Sequence, residues 1–99
     1  MSAWRSLSTH LKEIRLHLSQ TAPGSQGVRE FVKNTYPAIK RDNPAFPILI
    51  REAANVEARV FGRYALGLER KVQLEGLTES EVASRILELA QTKPSATQH

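Results

Sequence analysis

The chain has 99 residues, 40% of them hydrophobic, a net charge of +4 and no cysteine. That length supports one domain with one modest core. No apolar run approaches the length of a membrane span, and the missing thiols exclude disulfides, thiolate metal sites, cysteine nucleophiles and Cys-x-x-Cys redox chemistry together. The basic balance suits an acidic partner, whether nucleic acid, an anionic membrane surface or an acidic protein face, or it is an ordinary solubility margin.

Residues 1–12 contain no acidic side chain, and Trp4, Leu7 and Leu11 recur at helical spacing among Arg5, His10, Lys12 and serines. A basic, serine-containing, amphipathic stretch of this kind reads as an import signal, with a frayed terminus as the alternative. The domain is therefore expected over residues 12–92, preceded by the segment 1–11. Its first strand alternates Ile14, Leu16 and Leu18 with Arg15, His17 and Ser19, the period-two signature of a sheet with two different faces. Pro23 and Gly24 end it, and Ser25 is placed to cap the next helix by accepting a first-turn N–H.

The spacing of Val28, Phe31, Val32, Thr35 and Ile39 predicts a helix from about Ser25 to Arg41. Pro37 interrupts it, so either the helix kinks near Tyr36 or its last turn is a separate short piece. The apolar run at 47–52 predicts a second strand, parallel to the first and covered by the crossover helix. A third strand is expected from about Arg59 to Leu66, a turn over Gly67-Leu-Glu69, and a fourth strand marked by Val72 and Leu74. Thr78-Glu-Ser-Glu81 has the T-x-x-E form of a capping box, and the helix after it carries Val82, Ile86, Leu89 and Ala90 at helical spacing. The polar residues 93–99 are expected to be a disordered tail.

The element order β-α-β-β-β-α predicts an α/β fold with a four-stranded mixed sheet, strand order 2-1-3-4, and both helices mainly on one face. This is a minimal thioredoxin-like topology. Little in the chain suggests catalysis. His10, His17 and His99 lack the spacing of a metal site, so no metal ligand set is expected. Gly24-Ser-Gln-Gly27 has neither the dinucleotide nor the P-loop pattern and reads as a tight turn plus a helix cap. No catalytic residue, cofactor or small-molecule substrate is assigned.

The informative feature is the sheet face left without a helix. Strand alternation puts Arg15, His17, Leu49, Arg51, Arg59, Phe61, Arg63 and Lys71 there together. An aromatic residue among arginines has the composition of an interface hot spot. The face is expected to dock on an acidic protein surface, with Phe61 filling an apolar pocket at its centre.

Lys12-Glu-Ile-Arg-Leu-His-Leu18, Pro23-Gly-Ser-Gln-Gly-Val-Arg29, Asn43-Pro44 with Pro47-Ile-Leu-Ile-Arg-Glu52, and Arg63-Tyr-Ala-Leu-Gly67 closely resemble the thioredoxin-like accessory subunit of the matrix arm of mitochondrial complex I, NADH:ubiquinone oxidoreductase. The resemblance spans roughly residues 11–90. It implies a non-catalytic subunit on the matrix side of the inner membrane, without flavin or cluster. That subunit docks near the large iron–sulfur subunit of the NADH-oxidising module and has no direct membrane insertion. A mitochondrial ribosomal protein family shares the fold, and rRNA binding is the alternative, although a nucleic-acid partner is the less favoured reading. Several relatives carry cysteines where this chain has Ser19 and Ala53, so the redox-sensing role suggested for the family has no chemical basis here.

Overall fold

A computed structural model describes residues 3–92. The tail expected over 93–99 lies outside the described residues, as does His99.

Four strands form one mixed sheet in the order β2-β1-β3-β4, as the sequence predicts. The central strand β1 (Leu11–Leu18) runs parallel to β2 (Ile48–Glu52) and antiparallel to β3 (Arg59–Tyr64), which pairs antiparallel with β4 (Glu69–Gln73). Ile14, Leu16 and Leu18 are each at most 2% exposed, while Arg15 and His17 between them are half-buried on the other face. The alternation does not extend to the start of β1. Leu11 is fully buried although its parity is opposite to that of Ile14, because the β1–β3 register shifts between Leu11 and Glu13. Leu11 faces Tyr64 and Glu13 faces Arg63, so Lys12 is the extra residue of a bulge that returns Leu11 to the core side.

The crossover from β1 to β2 consists of two helices, α1 (Gln26–Asn34) and α2 (Tyr36–Asp42). Of the two readings of Pro37, the separate piece is correct. Thr35 ends α1 by donating its N–H to Phe31 O at 2.8 Å, and Pro37 then occupies the first turn of α2, where no intrahelical N–H is needed. Ser25 does not cap α1. Its hydroxyl turns back and accepts the N–H of Ser19 at 2.9 Å, and α1 begins instead from a 3-10 turn over Pro23–Ser25. Arg29 holds this loop by donating to the carbonyls of Ser19 and Ala22, both at 2.9 Å.

The capping box forms as expected. Thr78 Oγ1 accepts from Glu81 N at 3.2 Å, and Glu81 Oε1 accepts from Thr78 N at 3.0 Å, opening α3 (Glu79–Gln91). Val82, Ile86 and Leu89 of α3 join Val28 and Phe31 of α1 over the β1 face carrying Ile14, Leu16 and Leu18. The buried Tyr64 hydroxyl donates to Leu89 O at 2.6 Å, satisfying a carbonyl in the last turn of α3.

One local reading is corrected. The turn expected over Gly67-Leu-Glu69 lies earlier: β3 stops at Tyr64, Ala65–Gly67 form a 3-10 turn with Leu66 at φ 65°, and Glu69 already belongs to β4. The N-terminal residues also contribute to the core. Ala3–Thr9 form a 3-10 segment in which Leu7 is 1% exposed and Trp4 meets the Phe31 ring edge-on, centroids 6.1 Å apart. Asn43, buried at the end of α2, ties this segment down by donating to Trp4 O and Ile39 O, each at 3.0 Å.

Leu7→Ala should destabilise the domain by about 2–5 kcal/mol, and Leu16→Ala by a similar amount, because both empty fully enclosed sites. Urea unfolding showing less than about 1 kcal/mol for Leu7 would place the 3-10 segment outside the folded unit. Gly27→Ala is the sharper case. Its Cβ would overlap Leu77 O, a backbone atom with nowhere to move, so α1 must separate from the turn before α3. Thermal unfolding should show Gly27→Ala far less stable than Gly67→Ala, since a Cβ at Gly67 meets nothing within 4 Å and only its φ of +75° opposes it.

Candidate docking face on the sheet

The sheet register assembles the predicted face. Across β1 and β3, Arg15 lies opposite Phe61 and His17 opposite Arg59. On the outer side of β1, Leu49 is level with Arg15 and Arg51 with His17. On β4, Lys71 is level with Phe61. All of the residues assigned to this face in the sequence therefore share one surface, uncovered by α1, α2 or α3, whose buried side chains pack with Ile14, Leu16 and Leu18 on the opposite side.

Within the face the groups have specific partners. Phe61 is half-buried at the centre, with the Arg15 guanidinium 5.1 Å and the Arg59 guanidinium 5.8 Å from its ring centroid. Such cation–π contacts contribute about 0.5–1 kcal/mol each at exposed sites. The His17 ring lies against Phe61 with centroids 5.0 Å apart, and Arg59 Nε donates to His17 Nδ1 at 3.2 Å. Phe61 thus serves as a floor beneath cations. Among the described residues the large apolar side chains that stand exposed are Leu49, at 40%, and Leu66, at 95%.

Two carboxylates on this face escape the sequence reading. Arg15 forms ion pairs with Glu13, at 3.6 Å, and with Glu69, 54 residues later. Glu13 shares the face by the same alternation as Arg15 and His17, and Glu69 joins it because β4 starts where the sequence suggests a turn. Strand parity with the correct β4 start identifies Glu69. Arg51, Arg63 and Lys71 are exposed and form no ion pair among the described residues. The basic charge is therefore strongest at the β2 side, because the cross-strand neighbours of Arg63 are the carboxylates Glu13 and Glu69. A shallow depression lined by Arg15, His17, Arg51, Ala53, Val56 and Arg59 marks the β2 side. Among the described residues no group of His, Asp and Glu side chains is arranged to hold a metal ion.

Burial, then the guanidiniums of Arg59, Arg15 and Arg51, hold the His17 imidazole below its ordinary pKa of 6.5. The unfolded chain therefore takes up a proton first as pH falls. His17 contributes its full stability above the unfolded value, and this is lost as pH drops through the lower folded value. The melting temperature should fall between pH 7 and pH 5, and His17→Gln should flatten that fall. An unchanged slope in the variant would show that His17 is not responsible.

The family model of the mitochondrial ribosomal protein L51 / S25 / CI-B8 domain matches residues 28–79. NADH dehydrogenase (ubiquinone) 1 alpha subcomplex subunit 2 of Mus musculus is 49% identical over 72 residues, 73% of this chain and 73% of that protein. The protein of the same name from Arabidopsis thaliana is 42% identical over 91% of this chain and 94% of its own length. The NADH-ubiquinone oxidoreductase 10.5 kDa subunit of Neurospora crassa is 38% identical over 90% of this chain and 95% of its own. The large ribosomal subunit protein mL43 of Mus musculus is more distant, 29% identical and covered over only 44% of its length. With a family model matching more than half of its length and with relatives aligned nearly end to end, the chain belongs to the mitochondrial ribosomal protein L51 / S25 / CI-B8 domain family.

Proposed function

We propose that this chain is an accessory subunit of mitochondrial respiratory complex I, NADH:ubiquinone oxidoreductase, which it stabilises without catalysing a step. The observation that carries this reading is the near full-length similarity to subunits bearing that name in a mammal, a plant and a fungus. The chemistry of the chain agrees with it. No thiol exists for disulfide exchange, and His17, the histidine of the sheet face, commits its Nδ1 lone pair to Arg59. The neighbour we favour is the large iron–sulfur subunit of the NADH-oxidising module, on the matrix side of the inner membrane. The docking face is the sheet surface of Arg15, His17, Arg51, Arg59, Phe61, Arg63 and Lys71. Arginine suits such a face because its fork binds carboxylates by two parallel hydrogen bonds and loses its water more readily than lysine does.

Ribosomal RNA binding is the second reading, supported by the family name and by the more distant mL43 similarity. Glu13 and Glu69, which share the face with the arginines, count against a surface built for phosphates. Binding to RNA should weaken steeply with added salt.

Arg59→Glu with Arg63→Glu tests the docking face. Arg63 is exposed and Arg59 half-buried over Phe61, so the purified double variant should keep the native circular dichroism spectrum. In cells expressing only this variant, native gels should show it missing from complex I, because like charges would then meet across the interface. Normal incorporation would remove the face from the proposal, and co-migration of the unaltered chain with ribosomes would replace the complex I reading itself.

A further inference from the structure

The two edges of the sheet differ. Edge strands expose a row of backbone N–H and C=O groups, which natural proteins usually guard with charge, proline or a covering element. The β4 edge is guarded, since Glu69, Arg70 and Lys71 are all exposed along it. The β2 edge begins Ile48-Leu-Ile50 and has charge only at its end, in Arg51 and Glu52.

The hydrogen bonds of the parallel pair show which β2 groups are left over. Ile14 N donates to Pro47 O at 3.1 Å, and Ala53 N donates to Leu18 O at 3.1 Å. In a parallel ladder only alternate residues of a strand face a given neighbour. Residues 47, 49, 51 and 53 therefore face β1, and the N–H and C=O groups of Ile48, Ile50 and Glu52 point away from it. Among the described residues no backbone or side-chain group is bonded to the main chain of these three. Ile48 and Ile50 are left only half-buried on the core side, and Leu49 is 40% exposed on the other. Arg51, next along the outer face, is exposed and forms no ion pair among the described residues.

We propose that β2 receives an extended segment of a neighbouring protein subunit, which adds a fifth strand to the sheet along Ile48–Glu52. Main-chain bonds to Ile48, Ile50 and Glu52 supply the affinity, and alternate side chains supply the choice of partner. The incoming strand carries an apolar residue beside Leu49 and an acidic one beside Arg51 on the same face. It also carries an apolar residue between them that completes the cover over Ile48 and Ile50. Charge decides against a second copy of this chain as the occupant. Two β2 strands side by side would join two basic sheet faces into one and leave Arg51 without a carboxylate. The inference rests on the subunit role proposed above and specifies how the chain is held there.

The test replaces the outward N–H of β2. Glu52→Pro removes a donor that bonds nothing among the described residues, and its side chain loses only a 3.3 Å contact with Gln20. The purified variant should remain folded by circular dichroism and monomeric by light scattering, like the unaltered protein. In cells where it is the sole copy, native gels should show most of it missing from the large complex. Normal incorporation of folded Glu52→Pro would overturn the proposal. A dimer of the unaltered protein that Glu52→Pro dissociates would overturn it too, by making a second copy the occupant. If proline at 52 unfolds the strand, Ile48→Pro, which removes the outward N–H at the first residue of β2 and leaves the arginine face unchanged, decides the question by the same gel: loss of the folded variant supports the added strand and normal assembly rejects it. The outcome separates from that of the arginine face. Blocked Arg59→Glu/Arg63→Glu beside normal edge variants rejects only the edge, whereas normal assembly of every variant rejects the docking face as well.

Discussion

Everything in this small domain depends on covering one side of β1. The strand is central, hydrogen-bonded on both edges, and its core side presents Leu11, Ile14, Leu16 and Leu18, each at most 2% exposed. Burial of apolar surface contributes roughly 25 cal/mol per Å2, so these side chains form a large share of what a domain of this length can gather. α1 crosses over that side because a right-handed β-α-β connection puts it there. α3 fills the area beyond it, since one helical stripe is narrower than a four-stranded sheet. The N-terminal 3-10 segment closes the remaining end with Leu7 and Trp4.

That arrangement uses all the helices of the described residues on one side and leaves the other side to water or to a partner. A sheet face in this position must satisfy its own charges. It does so by placing Phe61 beneath two guanidiniums, by turning His17 into a neutral acceptor for Arg59, and by pairing Arg15 with Glu13 and Glu69. Each device reduces the repulsion among the arginines. The guanidinium of Arg51 and that of Arg63 are left exposed at opposite ends of the face.

The glycines and serines of the β1–α1 loop show how far local chemistry can mislead. Ser25 has the sequence context of a helix cap, yet its hydroxyl serves the N–H of Ser19, and Arg29 takes the loop carbonyls. Gly27 is required by a contact with Leu77, far away in the chain. A cap competes with every other donor within reach, and which donor lies within reach is a tertiary fact. The capping box at Thr78 is legible because both of its partners lie three residues apart on the same turn.

The sequence by itself determined the element order, the strand order and which basic side chains share one sheet face. Each follows from periodicity, from short connections and from the handedness of the crossover, which are local or nearly local rules. Tertiary structure alone decided three other things. The bulge at Lys12 brought Leu11 into the core, although it breaks the alternation. Asn43 bonded the N-terminal segment to α2, beside which Leu7 is buried in the core. Glu69 reached Arg15 across the sheet and gave the basic face an acidic component beside Arg63. In each case the deciding contact joins residues on different elements, and its energy exists only once the chain has brought them together.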